Sequence, residues 1–338
     1  MKQEIFYGSH YEIGYKFGQK QLANGIFIPD NLPFPLTQER YDFAAACLPV
    51  YRRFFPELLA EIAGLAAGQN CQTATIQAVL FSMYALPPAC GCSCLALGRP
   101  GRPLLGRNSD FLTALADYNL NVIYHFNTAS SADFFGNTTA FIEMEDGVNA
   151  HGLALGLTSV APVQAGPGFN AGLLLRLLLE KCQNTEQVVQ ICQKLPIASA
   201  HTLIAADKSG EIALLEMSAQ RVEVIRPQAA EPFVCAVNQF SNAAMQPYQN
   251  TGVDNWQAAE RWQTLQNMLS LHGRVSQLDL PQVQALLSGQ MGFLCQYNRQ
   301  AGHDTVWSVI YDLSAGHIYH ADGNPGSLPF RQDTRFSW

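Results

Sequence analysis

Ala89-Cys90-Gly91-Cys92-Ser93-Cys94, followed shortly by Gly106-Arg107-Asn108-Ser109-Asp110, puts a thiol, a guanidinium and a carboxylate in one stretch of chain. These are the groups of nucleophilic catalysis by cysteine, in which the thiolate reacts and a fixed cation or neighbouring amine favours it. Two apolar segments, Cys92 to Leu97 and Pro103 to Leu105, flank the turn Gly98-Arg99-Pro100-Gly101-Arg102, so the stretch reads as a hairpin. Folding back brings Arg107 and Asp110, 15 and 18 residues after Cys92, towards the sulfur. Arg107 is a candidate cation. Cleavage of the Gly91-Cys92 bond is a second route, because it would give Cys92 a free α-amino group, whose unperturbed pKa of roughly 8 suits a general base. Gly91 would help by tolerating the strained backbone that attack on its own carbonyl demands.

Other readings of the same residues stand beside this one. Cysteines at i, i+2 and i+4 of a strand share a face, and free cysteine is among the most buried residue types, so the three also describe plain packing. The C-x-C-x-C spacing is not that of a zinc site and no second Cys or His pair answers it, so no metal and no other cofactor is expected. Gly166-Pro167-Gly168-Phe169-Asn170 lacks the Lys-Ser/Thr pair of a phosphate loop. His317 and His320 are expected to be surface or cross-strand residues.

The elements that must position these groups follow from periodicity. Ser9-His10-Tyr11-Glu12 predicts a capping box, Thr37 a second helix start, and Leu58, Ile62, Leu65 and Ala66 continue a helical stripe after Pro56. A third helix is predicted from about Thr75, stopped by Pro87-Pro88, which makes residues 1 to about 88 mainly helical. Strands are then predicted at Val122 to Phe126, Thr138 to Glu143 and Gly152 to Leu157. Helices follow from Asn170 and Thr185. Further strands are predicted at Thr202 to Ala206, Ile212 to Met217, Val222 to Ile225 and Val234 to Asn238. A second helical pair, Trp256 to Leu271 and Pro281 to Ser288, precedes a closing hairpin of Val306 to Tyr311 and Ile318 to Ala321. Strand runs alternating with helical pairs predict two packed, mostly antiparallel sheets covered by helices.

A chain of 338 residues, 48% hydrophobic and 14% charged, is large enough for an extensive core. Its net charge of −7 and the lack of any Lys or Arg run longer than a pair leave no basic field for nucleic acid or an anionic membrane, so a small-molecule partner is expected. The N-terminus has no apolar signal region and no segment reaches 18 uninterrupted apolar residues. With nine cysteines, an odd number, this predicts a cytoplasmic protein in a reducing compartment.

Six segments carry a resemblance over nearly the whole chain: Gly8 to Tyr15, Gly91-Cys92-Ser93, Asn108-Ser109-Asp110, Gly147 to Ala154, Val237-Asn238-Gln239-Phe240, and Leu294-Cys295 with Thr305 to Asp312. In this order they resemble the N-terminal-nucleophile hydrolases of the penicillin acyltransferase type, with bile-salt hydrolases and penicillin V acylases as more distant relatives. The resemblance implies an α+β fold, the four-layer αββα sandwich with an N-terminal helical segment. It implies self-cleavage before Cys92 into a mainly helical small chain, 1–91, and a catalytic region, 92–338, that stay associated; a homo-oligomer is compatible with it. Cys92 would be the nucleophile, Arg107 would hold the thiolate, Asp110 would orient the α-amino group and Asn238 would donate to the oxyanion. Asn108, Thr158 and Arg299 are possible supports.

Three positions depart from that pattern. Gln296 stands where the family has an arginine, leaving its role to Arg299 or Arg107; Gln239 stands for a histidine, and Thr158 for a frequent asparagine. The implied activity is cleavage of a linear N-acyl amide of a small molecule through a thioester acyl-enzyme. Acyl transfer from a thioester to an amine is the alternative, and the vacancy at Gln296 motivates a third reading, a silent binding protein on the same fold.

Overall fold

The computed structural model of the protein describes residues 1–86, 91–99, 101–228, 232–272 and 278–338. A strand, β1 (Lys2–Gly8), precedes four helices: α1 (His10–Ala23), α2 (Gln38–Phe54), α3 (Pro56–Gly68) and α4 (Thr73–Ser82). Ser9 and Glu12 close the predicted capping box on α1, whereas Thr37 precedes α2 without a side-chain cap bond. α1 and α3 pack backbone to backbone, since a Cβ at Gly14 would lie 2.0 Å from the Glu61 carbonyl oxygen. β1 was not legible because Lys2, Gln3 and Glu4 open it with a polar run and Phe6 is its one fully buried side chain.

The hairpin forms as predicted from β2 (Gly91–Leu97) and β3 (Leu104–Leu112), pairing Gly91 with Asp110, Cys92 with Ser109 and Cys94 with Arg107. Pro100 of its turn, Cys90, and Pro87-Pro88 as the helix stop lie outside the described residues. β4 (Leu120–Phe126) follows. The strand predicted at Thr138 to Glu143 is corrected: β5 (Phe134–Thr138) ends where that one was to begin, and β6 (Asp146–Asn149) starts after it. The residues between form a turn, with Phe141 at φ 60° and the Thr138 hydroxyl accepting from the Ala140 N–H at 2.8 Å. Thr-Thr-Ala-Phe-Ile has strand propensity, but the turn is fixed by Glu145, whose carboxylate accepts from the Thr139 N–H at 3.0 Å.

β7 (Leu153–Ser159) leads to α5 (Ala171–Lys181), capped by Asn170, and α6 (Thr185–Cys192), capped by Asn184. Then come β8 (His201–Asp207), β9 (Ile212–Met217), β10 (Val222–Ile225) and β11 (Phe233–Ala236). α7 (Ala258–His272) and α8 (Leu280–Leu287) precede β12 (His303–Asp312), β13 (His317–Ala321) and β14 (Arg331–Asp333).

One sheet has the order β1-β4-β5-β6-β7-β8-β9-β10 and the other β11-β2-β3-β12-β13-β14. Only the β1–β4 pair among these neighbours is parallel. Three apolar layers hold the stack together. Helices α1 to α6 bury their stripes on the outer face of the eight-stranded sheet, Cys94, Ala96, Leu105, Phe135 and Val309 meet between the sheets, and α7 and α8 cover Leu95, Leu97 and Ile310 on the far side. The α+β, four-layer αββα sandwich is therefore realised, and β2 lies inside it with every residue buried.

Candidate active site

Strand alternation decides what surrounds the sulfur. Cys92 and Cys94 face the space between the sheets, as do Arg107 and Ser109 on β3, while Ser93, Asn108 and Asp110 face the α7–α8 side. Arg107 Nη2 donates to Cys92 Sγ at 3.0 Å. The same guanidinium, wholly buried, donates through Nη1 to Asp146 Oδ2 at 2.9 Å, through Nη2 to Glu145 Oε2 at 3.0 Å and through Nε to the Leu157 carbonyl at 2.9 Å. Asp146 is held in turn by Trp307 Nε1, Tyr311 Oη and Asn137 Nδ2 at 2.6 to 3.0 Å. Burial alone would lower the Arg107 pKa, but the negative charge around it raises it well above its ordinary value. Arg107 is thus a permanent cation placed against the sulfur.

The nitrogen of Cys92 looks elsewhere. It donates to Asn238 Oδ1 at 2.7 Å, and the same oxygen accepts from Arg261 Nη2 at 2.8 Å. Asn238 Nδ2 donates to the Ser159 carbonyl at 2.8 Å, so two donors on one side and an acceptor on the other fix the amide's orientation. Arg261, also wholly buried, further binds the Cys92 carbonyl, Ser93 Oγ at 3.1 Å and the Trp256 carbonyl at 2.9 Å. It lies three residues after Ala258 and four before Leu265, both in the core under α7. A charged residue within that apolar stripe was the signal by which the sequence could have revealed it.

Asp110 does not share the sulfur's face: an odd separation from Arg107 puts the two on opposite sides of β3. Its Oδ1 accepts from Thr305 Oγ1 at 2.6 Å and its Oδ2 from Tyr297 Oη at 3.1 Å, with Arg261 Nη1 at 3.9 Å. Burial raises its pKa, against the pull of Arg261 and these two hydroxyls. The carboxylates that meet Arg107 beside the sulfur are Glu145 and Asp146, which the sequence reading missed by running a strand up to their edge.

Gly91 sits in a tight spot. It is not among the residues at positive φ; instead a Cβ there would lie 3.0 Å from Trp256 Cε3 and 3.1 Å from Asp110 Cβ. A side chain there would have to press Trp256 or Asp110 aside.

Other expected residues stand apart from the sulfur. Asn108 donates to the Leu287 carbonyl at 2.9 Å and accepts from Ser308 Oγ at 2.6 Å, tying β3 to α8 and β12. Thr158 binds the Val237 carbonyl at 2.7 Å and Thr202 Oγ1 at 2.8 Å, which supports the segment carrying Asn238. Arg299 pairs with Asp304 at 2.7 Å and is largely exposed. Gln296 bonds its own loop, accepting from the Leu294 N–H at 2.7 Å and donating to the Gly292 carbonyl at 2.9 Å. His320 is the cross-strand residue expected, buried on β13 opposite Val309 with Asp322 beside it.

Over the sulfur lies a space of about 10 Å³, walled by Tyr84, Ser109, Phe111, Thr139 and Leu157 among others. Among the described residues no three His, Cys, Asp or Glu side chains gather as a metal site, no helix is long and apolar enough to cross a membrane, and the eight cysteines are free thiols.

A buried arginine on a strand cysteine, inside an αββα sandwich, agrees with the comparison of the sequence with known families. The family model for acyl-coenzyme A:6-aminopenicillanic acid acyl-transferase matches residues 97–327, about two-thirds of the chain. The chain belongs to this acyl-transferase family. Membership places it among enzymes of the acyl-transfer and amidase type. Arg107, Asp110, Glu145, Asn238 and Arg261 fall within the matched residues, whereas Cys92 precedes them.

No curated protein sequence matches the chain. Among solved structures, a variant of conjugated bile acid hydrolase from Clostridium perfringens is similar at a TM-score of 0.50, with 12% identity over 73% of this chain and 97% of that one. Penicillin V acylase from Agrobacterium tumefaciens is similar at a TM-score of 0.44, with 13% identity over 71% of this chain and 84% of that one. At the identity to the bile acid hydrolase, the shared property is the N-terminal-nucleophile hydrolase fold.

Proposed function

We propose that the chain cuts itself before Cys92 and then hydrolyses a linear N-acyl amide of a small molecule through a thioester on that residue. The observation that carries this reading is the pair of contacts on Cys92: Arg107 at 3.0 Å from its sulfur and Asn238 at 2.7 Å from its nitrogen. In processing, the sulfur attacks the Gly91 carbonyl, the C–N bond breaks in an N-to-S acyl shift, and water hydrolyses the thioester. Gly91 leaves with a carboxylate, and Cys92 keeps a free amine at the position where Asn238 and Arg261 already meet.

In turnover the thiolate attacks the substrate carbonyl and a C–S bond forms. The α-ammonium gives its proton to the departing amine as the C–N bond breaks. Water then adds to the thioester, losing a proton to the α-amine, and the acid leaves. Arg107 holds the sulfur. Asn238 serves through its Oδ1 towards the amine, and its Nδ2, which now reaches Ser159 Oγ only at 3.4 Å, turns its second hydrogen to the oxyanion; Asp110 supports the pair from the other face through Tyr297, Thr305 and Arg261. The free thiols support a reducing, cytoplasmic location.

Denaturing mass measurement of the purified protein tests the first step: two pieces divided before Cys92 are expected, and Cys92→Ala should give one intact chain with no turnover. Cleavage persisting in Cys92→Ala would refute the assignment. Acyl transfer to an amine is favoured by one specific finding, the acyl-transferase family model. Adding an amine to the acyl-enzyme separates the two: amide product in excess over acid would make transfer the reaction.

A further inference from the structure

The space over Cys92 is too small for any acyl group beyond the carbonyl itself, yet three of its walls, Tyr84, Phe111 and Thr139, are also walls of a cavity of about 260 Å³. That cavity is lined mainly by apolar side chains, among them Leu32, Phe34, Met83, Leu115 and Phe141. Ser159 and Asn238, which also flank the nucleophile, border a second cavity of about 470 Å³ whose lining brings Gln164, Gln239, Gln249 and Asn255 together with apolar residues such as Val160 and Val163. The first cavity is therefore mainly apolar, and the second is the one that carries the amides.

From this juxtaposition we propose that the apolar cavity is the acyl site and takes an unbranched acyl chain well beyond acetyl, while the amide-lined cavity takes the polar amine half. The proposal rests on Cys92 being the acylated residue. Threading the chain between Tyr84, Phe111 and Thr139 leaves its carbonyl at the sulfur and its methylenes among the apolar walls, where each methylene removed from water favours binding. The wall formed by Gln21, Ile26 and Leu32 to Phe34 comes from the N-terminal segment, outside the residues that the family model matches. Part of the wall that limits chain length thus comes from the N-terminal segment, and the rest from β3, the turn after it and the β5–β6 turn.

The test is a series of N-acyl anilides from acetyl to dodecanoyl with the full-length protein. kcat/KM should rise about fourfold per methylene until the cavity is full, the factor that burying one methylene supplies. Leu115, half-buried on the turn after β3, narrows the cavity when replaced by tryptophan, so Leu115→Trp should cut decanoyl turnover at least tenfold more than acetyl turnover. A flat or falling series, or equal loss for both substrates, overturns the acyl site.

Should no anilide turn over, the reading of Cys92 fails separately, and the cavity is read by calorimetric titration of decanoate into Cys92→Ala. Binding there, weakened at least tenfold by adding Leu115→Trp, keeps the cavity as a site for acyl chains. No binding, or equal binding in both, removes it.

Discussion

Arg107 is asked to do several things at once, and its geometry shows why only arginine fits. A planar fork serves the sulfur, two carboxylates and a carbonyl together, whereas the single ammonium of lysine cannot reach that set in fixed directions. Removing the charge strands Glu145 and Asp146, and leaving buried carboxylates without their partner costs about 3–5 kcal/mol. Arg107→Met is accordingly expected to lose that much in urea unfolding, and Arg107→Lys to recover part of the stability without restoring activity; a loss below about 1 kcal/mol in Arg107→Met would show that the carboxylates do not depend on it. At this scale the sequence was informative for Cys92, Arg107 and Asn238, because each lies in a short segment with its own chemical signature. Glu145, Asp146 and Arg261 were hidden for two physical reasons. The first two lie just past a turn that β-propensity disguised, and the third is a single charge in the apolar stripe of α7, whose partners come from segments far away in sequence.

Elements were legible where local chemistry alone sets them. The β2–β3 hairpin follows from a Gly/Pro turn between apolar runs, and the capping box from four residues of α1. The turn between β5 and β6 depends on Glu145 reaching back to Thr139, a contact no window of propensity contains. Beside it, Glu143 packs against the first turn of α5, within 2.6 Å of where a Cβ on Gly172 would stand, and neither of its oxygens has a hydrogen-bond partner among the described residues. The helix terminus favours an anion by at most about 2 kcal/mol, less than the several kcal/mol that burying a bare carboxylate costs. Burial therefore wins, and with the nearby Glu145 charge pushes the Glu143 pKa well above the usual carboxylate range.

A carboxyl that folds protonated and unfolds ionised makes stability fall as pH rises. The loss begins near the unfolded pKa of about 4.3 and runs at about 1.4 kcal/mol per pH unit up to the folded pKa. Glu143→Gln removes this slope, so the variant should be the more stable at pH 7 and the gap should close towards pH 4. Urea midpoints at several pH values measure it; a gap independent of pH would mean that Glu143 is already ionised in the folded protein.

At the scale of the molecule, the segment before Cys92 is built into the structure rather than laid over it. β1 pairs with β4 along all seven of its residues, and α1 to α4 share one apolar core with α5, α6 and the eight-stranded sheet. A buried ionic cluster crosses the same boundary: Arg176 on α5 donates to Glu61 on α3 at 2.6 Å and to Glu180 at 2.7 Å, while His10 on α1 meets Glu180 at 2.8 Å. If the chain is cut before Cys92, these contacts are what keep the two pieces together, and the apolar core supplies most of the cohesion because it is by far the larger surface. The cut protein should therefore elute as a single particle of the uncut mass. Glu61→Ala leaves Arg176 short of a buried partner and should weaken the assembly by about 3–5 kcal/mol, so that the pieces part at a lower urea concentration than in the parent, seen as two species on gel filtration. Separation of the 92–338 piece without denaturant would mean that the shared sheet and core do not bind the segment, and equal urea midpoints for parent and Glu61→Ala would remove the ionic cluster from the boundary.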